Sequence, residues 1–320
     1  MFDFSFGIFI FFFIVVIILV AVFSSKGSKK TLKNSPIPDN LGIQLEGVLP
    51  TAQALDHSLS NSYIERVKDR VLQENPKWSD FEFEWTLFEL KRYFVMNSLL
   101  KSVPMFSTRV DDIWHEMLMF TREYETFSKK FYHELLHHTP SNDPTPIPFE
   151  RAFFDWVYLS LFESTPNSRA IWGDFLKNPL KREILDDFRQ LSEDELLNRY
   201  FRTSEDWLDL KRSLIQKMKK EIFHSDDVKQ GKKKLDVPQI QTEQQFFQLA
   251  VGAAVFYSIY EEDQFQEQMS EWYPSEYYKV AHTGSGSSCS GVACSSTSDS
   301  DSGGDSGGSS CSSCGGGCSS

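Results

Sequence analysis

Residues 110–140 read VDDIWHEMLMFTREYETFSKKFYHELLHHTP, and they hold four of the seven histidines of the 320-residue chain. Thr108 with Asp111 forms an S/T-x-x-D start, so a helix is expected to open at Arg109. Asp111 and His115 then stand about 40° apart around the helix, and Asp112 and His115 are three positions apart. An Asp that accepts an imidazole N–H fixes the ring, as carboxylates do behind metal-bound histidines. The alternative is that Asp111 caps the helix and His115 is a hydrogen-bonded core residue beside Trp114. The following run places Tyr124, Phe127, Phe131 and Leu135 on one helical face, and Pro140 ends it. Inside it, His133-Glu134-Leu135-Leu136-His137 matches H-E-x-x-H. On a helix that spacing lets two imidazoles share a zinc ion while Glu134 serves as general base toward the bound water. A catalytic zinc needs a third protein ligand. Thr139-Pro140 excludes the extended zincin form, which leaves Glu150 or Glu163 to supply that ligand.

Together with ELKRYF at residues 89–94, this stretch resembles the glycine-rich domain-containing protein family of plants and bacteria. The residues that carry the resemblance are Val110, Asp111, Trp114 and His115 (V-D-x-x-W-H), then Thr121, Tyr124 and Phe127 (T-x-x-Y-x-x-F), then His137, His138 and Pro140 (H-H-x-P). The resemblance brings no established catalytic activity with it. Members commonly carry Cys where this chain has Ser128 and Gly where it has His133, which removes a thiolate ligand and makes the H-E-x-x-H local to this chain. Asp111, His115, His137 and His138 are shared. They are expected to form either a metal site between two helices, suited to zinc or another divalent transition metal, or a buried polar clasp.

Working outward toward the N-terminus, Ser79 with Glu82 is a capping box opening a helix that reaches Leu100, with apolar positions dense enough for burial on more than one face. Before it, Ile64, Val67, Val71 and Leu72 mark a helix that starts near Ser62 and ends before Pro76. Residues 25–61, rich in Ser, Pro, Gly and Asn, read as a linker. Residues 4–23, FSFGIFIFFFIVVIILVAVF, contain no charge and have the length a helix needs to cross about 30 Å of hydrocarbon. The expectation is a single-pass transmembrane anchor over residues 1–24. Lys26, Lys29, Lys30 and Lys33 follow the span, which puts the C-terminal body in the cytoplasm.

On the other side, PFERAFFDWVYLSLFES reads as a core helix. Ser192 with Glu195 opens another over 193–200, and a further one covers 205–223. Nine basic residues against three acidic ones lie between Lys211 and Lys234. They offer either a contact for anionic lipid or a solvated face. Neutralising Lys232, Lys233 and Lys234 would test a lipid- or RNA-binding adaptor. Thr242 with Gln245 starts a last helix, whose apolar run to Tyr260 is too short for a second span and reads as core. Residues 281–320, Gly-, Ser- and Cys-rich, read as a disordered tail, with Cys311, Cys314 and Cys318 at metal-like spacing.

All five cysteines fall in residues 289–320, so the helical body over 62–280 has no disulfide framework and fits a reducing compartment. The net charge of −12 argues against a general nucleic-acid binder. These readings define an all-α protein, an irregular helical bundle on a membrane tether. Its expected function is an interaction or scaffold module with a structural or metal-binding Asp/His cluster. A membrane-anchored zinc metalloprotease using His133, Glu134 and His137 is the alternative.

Overall fold

The computed structural model describes residues 31–138, 148–235 and 243–273. These residues form α-helices joined by short connections, with two isolated β-bridges and no strand among them. The first half contains α1 (Val48–Ser58), α2 (Asn61–Glu74), α3 (Asp80–Leu99), α4 (Thr108–Leu118) and α5 (Thr121–Tyr132). The second contains α6 (Pro148–Leu161), α7 (Pro166–Trp172), α8 (Arg182–Gln190), α9 (Glu193–Tyr200), α10 (Leu208–Lys229), α11 (Glu243–Tyr260) and α12 (Phe265–Trp272). Helix α3 is the axis. Fifteen of its twenty residues are buried, because α1, α2, α4 and α7 all pack on it. In the second half α10 has the same role, packed by α6, α8, α9 and α11.

Local chemistry sets most of the helix starts. The Ser79 amide donates to Glu82 Oε2 at 3.0 Å, and the Ser192 amide to Glu195 Oε2 at 2.8 Å, so both capping boxes close. Ser107, one residue earlier than expected, caps α4 by accepting the Val110 amide.

The segment read as a linker is largely ordered. Val48, Ala52 and Leu55 bury one face of α1, and Pro50 sits in its first turn, where the missing N–H costs nothing. Before α1, residues 32–47 strap the second half to the first. Lys33 and Asn167 exchange two hydrogen bonds, at 2.7 and 2.8 Å. Trp85 Nε1 donates to the Ser35 carbonyl, and Ile43 pairs with Phe162. Asn40, Leu41 and Gly42 all adopt positive φ. A Cβ on Gly42 would lie 2.6 Å from both Arg92 Nη2 and Glu163 Cγ, so this turn requires glycine.

The membrane reading is corrected here. Among the described residues no helix is long and apolar enough to cross a membrane. The most apolar long helix, α11, instead covers Phe246, Ala250, Ala253 and Val255 with α6, α8, α10 and α12. The integral span, the membrane localisation and the tethered inward-facing body are therefore set aside. Residues 4–23, which carried that expectation, lie outside the described residues, as do the tail and its cysteines.

The basic stretch is corrected too, because the fold spends most of its charges internally. Lys211 is buried, with Nζ donating to the carbonyls of Arg202 and Ser204 at 3.0 and 2.8 Å. Lys217 donates to Ser160 O and Lys219 to Leu191 O. Arg212 pairs with Glu193 and Asp194, and Lys233 with Asp227. These contacts engage five of the nine basic residues, and Lys220, Lys229, Lys232 and Lys234 are exposed to solvent.

Candidate metal centre

The expected long helix through Pro140 stops at Tyr132. His133 follows at φ 59°, in the left-handed region, and the chain turns back over α4 and α5 as a non-helical segment to His138. Buried groups hold that return. Ser128, fully buried, donates to the Glu134 carbonyl at 2.8 Å and accepts the Leu136 amide. Tyr124 donates to the Leu136 carbonyl at 2.7 Å and accepts the Trp114 indole N–H at 3.0 Å. Tyr93 stacks edge-on against Trp114, their centroids 5.5 Å apart, and donates to the Val103 carbonyl. Burial pushes the Tyr124 phenol up to about 12, and those of Tyr93 and Tyr132 up as well. All three remain neutral hydrogen-bond donors and none becomes a phenolate ligand.

This turn delivers His138 to Asp111. His138 Nε2 lies 2.7 Å from Asp111 Oδ1, and His115 Nε2 lies 3.8 Å from Asp111 Oδ2. The His138 ring meets Trp114 edge-on at 4.3 Å and His115 at 4.6 Å. One potential ligand atom from each of Asp111, His115 and His138 falls within 4.8 Å of the other two, and no other such group of three occurs among the described residues. The side chains grade from interior to solvent, His138 at 5 % exposure, Asp111 at 26 % and His115 at 46 %. One wall is therefore aromatic and dry, and the other is open to water. Two imidazoles and a carboxylate make a donor set suited to zinc, or to iron(II) with open positions.

The other expected site residues lie elsewhere. His137 is exposed and outside the cluster. His133 faces Asp206 at 3.7 Å, and Glu134 pairs with Arg202. The H-E-x-x-H residues thus all lie beyond the end of α5, and the i,i+4 geometry of that motif is lost. Glu150 is exposed on α6, and Glu163 lies in the turn beyond it beside Gly42.

A second polar constellation, Glu89 with Arg92, is one that sequence reasoning missed. Both side chains are fully buried. Glu89 accepts from Ser168, Tyr158 and Trp172, each at 2.7 Å. Arg92 donates to the carbonyls of Leu41 and Glu163 at 2.9 Å. It fastens α3 to the strap, α6 and α7, so its role is structural. A charged i,i+3 pair on a helix otherwise buried on all sides was the available signal.

The fold and the site define an all-helical protein with a two-histidine, one-aspartate cluster. A family model described as UCP032817-like matches residues 49–144, a span that begins one residue into α1 and contains α2 to α5 and all three cluster residues. No curated protein and no solved structure matches the chain.

Proposed function

We propose that this protein is a helical interaction module in which Asp111, His115 and His138 hold a divalent transition metal. The bound ion fastens the 133–138 segment to α4. The observation that carries the reading is the convergence of His138, from the non-helical segment after α5, with Asp111 and His115, one helical turn apart. Ligand atoms of a tetrahedral zinc at about 2.1 Å stand roughly 3.4 Å apart. The 3.8 Å between His115 and Asp111 is close to that value. His138 bonds the other carboxylate oxygen at 2.7 Å, and the three donor atoms lie within 4.8 Å of one another, so shifts on the order of an ångström would admit the ion. Three protein donors would leave a fourth position for water.

The likeness to the glycine-rich domain-containing proteins agrees with this reading, since the residues that carry it include Asp111, Trp114, His115, Tyr124 and His138. An interaction role is favoured over hydrolysis because Glu134, the expected general base, is engaged by Arg202 and has no place beside the three donors.

Zinc titrated into chelator-treated protein tests the proposal by thermal unfolding. An ion at a hundredfold its dissociation constant adds about 2.7 kcal/mol. The stabilisation should vanish in His138→Ala and persist in His137→Ala. Equal responses in the two variants would refute the site.

A further inference from the structure

Away from the metal centre, a pocket of about 620 Å³ opens between α10, α11 and the strap, within the range of small-molecule sites. Its α10 wall carries Lys217, Lys220, Glu221 and His224, which share a face at helical spacing. Two of them are anchored inward. Lys217 donates to the Ser160 carbonyl at 2.9 Å, and Glu221 accepts the Trp156 indole at 2.5 Å. Lys220 and His224 have no ion pair or hydrogen bond among the described residues, and both line the pocket. On this wall the groups left to meet a ligand are therefore basic, and Glu46 lines the same pocket from the strap.

The opposite wall carries the apolar Leu249, Gly252 and Trp272 beside Gln248, whose amide donates to Gln44 at 3.2 Å. Gly252 lies inside α11, where glycine costs about 1 kcal/mol relative to alanine. No packing demand accounts for it, since a Cβ there would meet nothing within 4 Å. A bare backbone with open space above it is a floor on which the flat or linear body of a ligand can lie.

We propose that this pocket binds a small amphipathic organic anion, with its acid head at Lys220 and His224 and its apolar body over Gly252 against Leu249 and Trp272. Glu221 fits that occupant. Burial raises its carboxyl to about 7, so near neutrality it carries a proton about half the time and repels an anionic head group less than an ordinary carboxylate would.

Calorimetric titration of the full chain with decanoate, kept below its micellar concentration, tests the proposal, with decylamine as the charge-reversed control. Saturable binding of one decanoate per chain is expected. Gly252→Leu, which fills the floor, and Lys220→Glu, which inverts the head-group charge, should each weaken it at least about tenfold, a loss of roughly 1.4 kcal/mol. Both should leave the melting temperature unchanged. If Gly252→Leu perturbs folding, Lys220→Glu, at an exposed position, carries the test alone. Absence of decanoate binding, tighter binding of decylamine, or decanoate affinity indifferent to Lys220→Glu would each overturn the proposal.

Discussion

Ser128 shows how one side chain decides where the chain goes after α5. Its hydroxyl serves both the Leu136 amide and the Glu134 carbonyl inside the core. Ser128→Ala strands both groups and should cost about 1–3 kcal/mol, measured as a lower urea midpoint with an unchanged slope. Cysteine, common at this position in the resembling family, bonds more weakly and should fall between the two. Glu89 poses the complementary case of a buried charge. Removing it in Glu89→Ala leaves Arg92 uncompensated and should cost about 3–5 kcal/mol. A loss under 1 kcal/mol in the same urea experiment would show that the network is not the fastener described.

At the scale of elements, most helix starts and several ends were legible in the sequence, with Pro76 closing α2 and Leu100 closing α3, but the end of α5 was not. Capping boxes are local, so Ser79 and Ser192 announced α3 and α9 correctly. The end of α5 is set by tertiary contacts. Apolar periodicity runs on through Leu135, and only the capture of residues 134 and 136 by Ser128 and Tyr124 turns the chain at His133. The same contacts explain the partial reading of the site. Asp111 and His115 share a helix and could be paired from spacing alone. His138 was among the expected residues, but its neighbour His137 faces solvent, a distinction that depends on the direction of the turn. Helix α1 was hidden by Pro50 and its polar neighbours.

Helix α10 adds a pH dependence at this scale. The Glu221 carboxyl is raised from 4.5 to about 7 by burial, against the opposing charge of Lys217. The folded state therefore binds its proton more tightly than the unfolded chain does. Stability from this group is fully present below pH 4.5 and is lost as pH rises through 7. The loss is on the order of 3 kcal/mol. Glu221→Gln should flatten the fall in unfolding free energy between pH 5 and 8, and an unaltered pH profile would count against the buried acid.

The described residues are held as a whole by two devices. The strap at residues 32–47 joins α3 to α6 and α7 through Arg92, Asn167 and Trp85. The Asp111–His138 clasp closes the first half on itself. Gly42→Ala tests the strap, since it adds a methyl group 2.6 Å from Arg92 Nη2 at a left-handed position. It should cost more than the 1 kcal/mol or so of an ordinary glycine replacement, read in the same denaturation assay. The central claim is the clasp as a metal site, and zinc stoichiometry by equilibrium dialysis and elemental analysis tests it most directly. The account predicts one ion per chain, lost in Asp111→Ala, His115→Ala and His138→Ala and kept in His133→Ala and His137→Ala. No bound zinc in the parent protein, or zinc that follows His133 and His137 instead, would contradict it.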